Sequence, residues 1–253
     1  MELIKKIFRI VRYLVFKINY RLLYSKKISG YNNSTLNKSI IKKTIIFSKL
    51  SSTNKHDINF QRTTKFLKFI KKRKLKNIVD FGGGAGYHYF IAKIKLSNFN
   101  FNWSIVENTM MVRLCKKKLK YRNLFFFNSL DKIKKSDVFF SSCAINYTKN
   151  PLITLKKIFD LKVKYFYITR TPFSTKENLE FKQSSLLSDN GPCKIKNEKE
   201  ILIEYKNKIV NINNFENMLK NKYIILSKYI DEKKAFCFGS KCFDTYTYII
   251  KKK

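Results

Sequence analysis

Four of the seven glycines in the 253-residue chain fall within five positions, Gly82-Gly83-Gly84-Ala85-Gly86, directly after the run Asn77-Ile78-Val79-Asp80-Phe81. In a chain so poor in glycine, that concentration answers a backbone need. A glycine-rich turn between a strand and a helix lets a ligand reach main-chain N–H groups and the helix N-terminus. The dinucleotide pattern G-x-G-x-x-G fails in both registers, because its third glycine would be Tyr87 or Tyr89. The spacing that holds is G-x-G-x-G, as Gly82, Gly84 and Gly86, with Asp80 two residues ahead. Glu107 closes the run Trp103–Glu107, and an acid at the tip of a second strand can accept both hydroxyls of a ribose. Between Ile58 and Leu130 the only acids are Asp80 and Glu107, in a stretch otherwise crowded with lysine. Three further side chains could move a proton or hold a charge: His88 just past the glycines, Tyr147, and Arg170, whose guanidinium suits an anchored phosphate or carboxylate. The plainer alternatives are a helix-terminal histidine, a tyrosine packed over a ligand, and a surface ion pair.

These residues need an alternating scaffold, and the chain from Asn77 onward supplies one. Strands are predicted at Asn77–Phe81, Asn102–Glu107, Asn123–Phe127, Asp137–Cys143 and Tyr165–Arg170, the last stopped by Pro172. Helices are predicted near Tyr87–Leu96, Met110–Leu119 and Pro151–Phe159, the last with proline at its first turn. This alternation specifies an α/β fold with a parallel sheet covered on both faces. Residues 173–211 read as polar and irregular. A short helix at Phe215–Leu219 and strands at Tyr223–Ile230 and Phe243–Ile250 follow, the last two pairing antiparallel. Residues 1–72 read as an N-terminal helical extension or lid and 73–253 as the main domain. Within the extension, residues 1–24 interleave apolar and basic side chains at helical spacing, which suits either an anionic membrane surface or packing on the main domain.

Composition bounds the partners. There are 54 Lys+Arg against 17 Asp+Glu, a net charge of +37, but only 8 of the basic residues are Arg. Abundant Lys, Asn, Ile, Phe and Tyr with scarce Gly and Pro is what an AT-rich coding sequence produces, and nucleic-acid readers favour Arg for bidentate contacts. Contact with polyanions is therefore expected to be nonspecific. A nucleic-acid-binding or RNA-modifying protein on the same fold is the competing reading. No run of 18 uncharged apolar residues occurs and no small-residue cleavage site follows the N-terminus, so the expectation is a cytoplasmic protein without a transmembrane span. Five cysteines and two histidines without a CxxC pair suggest neither a disulfide scaffold nor a metal site, and Cys237 and Cys242 read as ordinary strand residues.

With the glycine turn, Trp103–Glu107, Asn146-Tyr147, Asn150-Pro151, Thr169-Arg170-Thr171-Pro172-Phe173 and Ser29–Asn33 in view, the chain resembles a family of Rossmann-like S-adenosylmethionine-dependent methyltransferases often encoded among bacterial surface-polysaccharide genes. The family's usual Gln before the tyrosine is Asn146 here, and its Asp before the proline is Asn150. The resemblance implies a doubly wound sheet of order 3-2-1-4-5-7-6 with the last strand antiparallel, and S-adenosyl-L-methionine across the carboxyl ends of its first strands. It assigns Gly82, Gly84 and Gly86 to the methionine part, Asp80 to orienting that loop, Glu107 to the ribose, Asn128 and Ser129 to the adenine edge, and Ser142 and Cys143 to the wall of the sulfonium pocket. His88, Tyr147 and Arg170 are then the candidates for work on the acceptor. That acceptor is expected to be a small molecule, such as an anionic sugar derivative or polysaccharide precursor, entering under a lid drawn from residues 25–60 and 173–211.

Overall fold

The computed structural model describes residues 27–50, 58–134, 136–239 and 241–253, together with residue 11. The basic segment expected to meet a membrane or the main domain lies, but for that one residue, outside the described residues. The elements run β1 (Lys27–Ser29), α1 (Ser34–Ser48), α2 (Ile58–Lys72), β2 (Asn77–Phe81), α3 (Tyr87–Lys95), β3 (Asn102–Val106), α4 (Thr109–Lys118), β4 (Leu124–Phe127), β5 (Val138–Ser142), α5 (Pro151–Phe159), β6 (Tyr165–Ser174), β7 (Leu179–Leu186), β8 (Leu202–Asn211), α6 (Ile212–Leu219), β9 (Tyr223–Phe238) and β10 (Lys241–Lys252). No helix among the described residues is long and apolar enough to cross a membrane.

The main sheet runs β4-β3-β2-β5-β6-β10-β9. Counting only the seven strands of this sheet in chain order, that is the expected order 3-2-1-4-5-7-6. The first five strands pair in parallel, and β10 is antiparallel to both β6 and β9. The central strands read as unbroken apolar runs because they are covered on both faces. On one face Ile78, Trp103, Ile105, Phe126 and Phe140 pack against α2, α3 and α4 through Phe66, Ile70, Phe90 and Met111. On the other, Val79, Val106, Phe139, Phe166 and Tyr248 meet α5 and α6 through Leu155, Phe159 and Phe215. Helix starts are fixed by asparagine caps: Asn108 Oδ1 accepts from the Met111 N–H (2.9 Å) and Asn150 Oδ1 from the Ile153 N–H (3.2 Å).

Three expectations change. Residues 173–211 are not irregular: β7 and β8 form an antiparallel pair, and β1 joins β8 in parallel, making a small second sheet. Its apolar underside, Ile201 and Ile203, packs on Leu36 of α1. The strand β6 does not stop at Pro172. A β-bulge at its pairing with β10 puts Arg170 at φ 54, and the strand continues to Ser174, where it meets β8. Finally, Cys237 and Cys242 are not ordinary strand residues. They face each other near the turn of the β9–β10 hairpin, with Cα atoms 4.1 Å apart, and form a disulfide.

A buried lysine ties the small sheet down. Lys43 of α1 is fully buried, and its Nζ donates to the carbonyls of Leu187 (2.7 Å) and Asn190 (2.9 Å) and pairs with Glu198 (2.9 Å). Ser39 also donates to Glu198. An unpaired buried ammonium would be costly, so these acceptors fix the 187–198 segment against the N-terminal helix.

Candidate active site

At the carboxyl ends of β2, β3, β4 and β5 lies an open-mouthed cavity of about 480 Å³. Gly82, the first residue of the glycine turn, lines it. Gly82, Gly84 and Gly86 have φ of 74°, 58° and 97°, which side-chain-bearing residues adopt at a cost. A Cβ on Gly82 would fall 2.2 Å from the Ala144 Cβ, and one on Gly83 would fall 2.4 Å from Asp80 Oδ2. The turn is thus pressed between the start of the next loop and the acid beneath it.

Asp80 is fully buried. Its Oδ2 accepts from Trp103 Nε1 (3.0 Å) and lies 3.0 Å from His88 Nδ1, while its Oδ1 is buried without a hydrogen-bond partner. His88, one of the three candidates for work on the acceptor, is turned inward, bound to Asp80 and edge-on to the Phe140 ring. Because Asp80 is sealed in, it acts on the turn from behind.

Glu107 joins the two key loops. Its Oε1 accepts from the Gly84 N–H (3.2 Å), and its Oε2 accepts from the Asn108 backbone N–H (2.9 Å) and from Asn108 Nδ2 (3.0 Å). Burial pushes its carboxyl above the usual range, and the N–H donors of Asn108 and Gly84 pull it back in part. Beside it, past the end of β4, Asn128, Ser129 and Asp131 also line the cavity. Ser129 Oγ donates to Asp131 Oδ2 (2.7 Å), and Asn128 Oδ1 accepts from Lys132 (2.9 Å). Thr154 and Lys157 of α5 close the far side.

The floor and roof meet at Cys143 and Tyr147. Cys143 takes φ 56, and its N–H donates to Thr169 O (3.1 Å), which carries β6 beneath the cavity edge. Burial raises its thiol, with Arg170 pulling the other way. Tyr147 packs with Tyr31 (ring centroids 5.4 Å apart) and Tyr205 (5.2 Å), so the roof joins the N-terminal segment, the 145–147 turn and β8. The Tyr147 hydroxyl donates to Gln183 Oε1 on β7 (3.2 Å). Burial holds Tyr31 and Tyr147 well above the ordinary phenol range, so both are neutral hydroxyls at physiological pH and neither is a base.

The structure thus brings Gly82, Glu107, Asn128, Ser129, Cys143 and Tyr147 to one cavity, with Gly84 and Gly86 shaping its turn, Ser142 ending β5 below, and Asp80 and His88 behind it. Arg170 does not line the cavity, and its Nη1 donates to Asn59 Oδ1 (3.3 Å). Sequence reasoning did not single out Tyr31, Asp131, Thr154, Lys157 or Tyr205. Only the Gly30-Tyr31 pair within Ser29–Asn33 carried a signal.

No family model matches the chain, and no curated protein matches it. Solved structures do. The N-methyltransferase NodS from Bradyrhizobium japonicum WM9, in complex with S-adenosyl-L-homocysteine, is 7% identical over 86% of this chain and 98% of its own, with a TM-score of 0.47. The 1,6-didemethyltoxoflavin-N1-methyltransferase of Burkholderia thailandensis, with bound 1,6-didemethyltoxoflavin and S-adenosylhomocysteine, is 9% identical over 87% and 86%, at 0.47. The PH0226 protein from Pyrococcus horikoshii OT3 is 14% identical over 78% and 94%, at 0.44. At these values the likeness carries no argument about function, which rests on the cavity itself.

Proposed function

We propose that the chain is an S-adenosylmethionine-dependent methyltransferase acting on a small molecule. One observation carries this: a half-buried acid at the tip of β3, bonded to the glycine turn after β2, lines an open cleft at the strand ends where such a sheet binds nucleosides. The residues fit that cofactor. Glu107 would hold the ribose hydroxyls, and Asn128, Ser129 and Asp131 stand where the adenine edge would lie. The glycine turn leaves room for the methionine part, and Asp80, sealed in behind it, would orient that turn. When bound, the cofactor supplies a methyl group on a positively charged sulfur, already activated for in-line displacement.

The chain's contribution is positioning, exclusion of water and an oriented acceptor. Cys143, a half-buried neutral thiol, walls the reacting region without offering a competing charge. Tyr31 and Tyr147 roof it. The acceptor enters above β5 and β6, between this roof and Thr154 and Lys157 of α5, under the lid built from β1, β7 and β8. A sugar or surface-polysaccharide precursor, which the sequence resemblance implies, suits such a site.

Transfer of label from methyl-tritiated S-adenosylmethionine into cell extract, separated into small molecules, RNA and protein, tests the acceptor class. Protein-dependent label in the small-molecule fraction is expected. Label confined to RNA would overturn it.

A further inference from the structure

Composition accounts for how many lysines the chain carries, but not for where the fold puts them. The parallel strands enter the sheet at the end opposite the cavity, and the segments leading into them are basic. Lys71, Lys72, Arg73, Lys74 and Lys76 precede β2, all exposed. Lys116, Lys117, Lys118, Lys120 and Arg122 precede β4 and are exposed too. Lys162 and Lys164 lead into β6, and Lys220 and Lys222 into β9. Lys252 and Lys253 stand at the end of β10, which runs the other way and so finishes at the same place. Helix dipoles favour cations in a last turn, which accounts for Lys71, Lys72 and the three lysines 116–118. The rest lie beyond the helices.

These segments form one face. The Asn102 N–H donates to Lys76 O (2.7 Å), the Asp137 N–H to Asn77 O (2.8 Å), the Lys252 N–H to Lys164 O (3.0 Å) and the Lys253 N–H to Lys222 O (3.0 Å). The Arg73 guanidinium lies 4.2 Å from the Phe69 ring centroid and 5.5 Å from that of Tyr165, which brings the end of α2 beside the entry of β6. In the five residues before each of β2, β3, β4, β5, β6 and β9, the acids among the described residues are Asp137 and Asp160. Asp137 Oδ2 is occupied, accepting from the Lys76 and Asn77 N–H groups (2.8 Å each). Aliphatic side chains border this face. In the main sheet β9 is the edge strand, paired with β10 alone. Directly after Lys222 and Tyr223 it presents Ile224, Ile225 and Leu226, which are 44%, 39% and 42% exposed. Ile94, 41% exposed, stands between Lys93 and Lys95 at the end of α3.

We propose that this basic end of the sheet, with Ile224, Ile225 and Leu226 at its margin, docks the chain on a bilayer containing anionic phospholipid. Lysines meet the headgroup phosphates, and the aliphatic side chains reach the boundary between headgroups and acyl chains. Single exposed aliphatics are ordinary, but three in sequence beside a basic face are not. A nucleic acid would gain nothing from them, and the face offers few arginines for bidentate contacts. A second copy of the chain would bring like charge to like charge. Docked this way, the chain turns its cavity away from the bilayer, so that cofactor and acceptor arrive from solution. The docking face stands independently of the methyltransferase reading.

Co-sedimentation of the full chain with vesicles at physiological salt tests it, using phosphatidylcholine alone and phosphatidylcholine mixed with phosphatidylglycerol. Binding to the mixed vesicles only is expected. Combining Lys71→Gln, Lys72→Gln and Lys74→Gln should weaken it on the order of 100-fold, at about fivefold per cation. Lys38→Gln, Lys176→Gln and Lys182→Gln together remove the same charge from α1 and the lid and should leave most of the affinity. Ile225→Ser with Leu226→Ser should weaken vesicle binding about 10-fold, as for partial burial of two aliphatic side chains, without changing affinity for a short RNA. Where a variant misfolds, hydrogen exchange of the unaltered chain decides: the mixed vesicles should protect residues 71–76, 116–123 and 220–226. No binding to the mixed vesicles, equal losses in the two lysine variants, or protection confined to the lid would overturn the proposal. So would an aliphatic pair without effect while the first lysine variant loses RNA and vesicles alike, which would make the face a nucleic-acid surface.

Discussion

Replacing Glu107 with alanine removes the one acid that connects the glycine turn to the tip of β3. A carboxylate offers about four lone-pair sites. Three are already used, by the Gly84 N–H on Oε1 and by the two Asn108 donors on Oε2, which leaves one on Oε1 for a ribose hydroxyl. One hydrogen bond to a charged group contributes about 1.5–3 kcal/mol, equivalent to roughly a 10- to 150-fold change in dissociation constant. Calorimetric titration of S-adenosylhomocysteine into Glu107→Ala should show that weakening. A thermal melt should fall as well, because Gly84 and Asn108 lose their acceptor. Affinity within twofold of the unaltered chain, in a variant that remains folded, would refute the ribose assignment and with it the use of Glu107 to recognise a nucleoside.

The same carboxyl predicts a pH dependence of opposite sign for folding and for binding. Burial raises its folded pKa above the unfolded value, so between the two the folded state holds a proton that the unfolded state has released. This group's contribution to stability is therefore fully present below the ordinary carboxylate range and is lost as pH rises through its raised value. Ribose binding needs the charged form and should strengthen over the same window, which titrations across mildly acidic pH would reveal; binding that weakens as pH rises there would contradict it. Gly82→Ala and Gly84→Ala should separate crowding from backbone cost. Both require a left-handed alanine, about 1–2 kcal/mol, but only at Gly82 does the new methyl meet Ala144, adding roughly 1–3 kcal/mol. Melting temperatures should thus fall further for Gly82→Ala, and equal losses would show that the close approach to Ala144 is not real. Lys43→Met strips Glu198 of its ion-pair partner, leaving it only the Ser39 hydroxyl, and should destabilise the chain by about 3–5 kcal/mol, with early proteolytic cleavage within 187–200; an unchanged melt would show that the lysine does not hold that segment.

The parallel core was legible in the sequence because its strands, buried on both faces, are apolar runs between turn signals. Asp80, the glycines and Glu107 were legible because glycine and acid are both scarce around them. The lid was not. In Leu179–Leu186 apolar residues are too few to announce a strand, and its partner β8 lies sixteen residues on, so its order comes from long-range pairing and from α1. Tyr31 and Tyr205 reach the roof only through that sheet. Pro172 suggested a strand end because proline cannot donate, and the bulge that accommodates the chain here depends on the register with β10. His88 carried the right chemistry in sequence, but Asp80 is eight residues away along a turn whose shape decides that the two meet. The Cys237–Cys242 bridge likewise needs the hairpin register, which spacing alone does not supply.

The most direct test of the central claim is a calorimetric comparison of S-adenosylhomocysteine, NAD and a short RNA on the unaltered chain at physiological salt, with the RNA titration repeated at higher salt. The account predicts saturable one-site binding of S-adenosylhomocysteine, no heat from NAD, and RNA binding that weakens steeply with salt because it reflects only the charge of +37. NAD binding at the cavity, or salt-resistant binding of RNA with no response to S-adenosylhomocysteine, would contradict it.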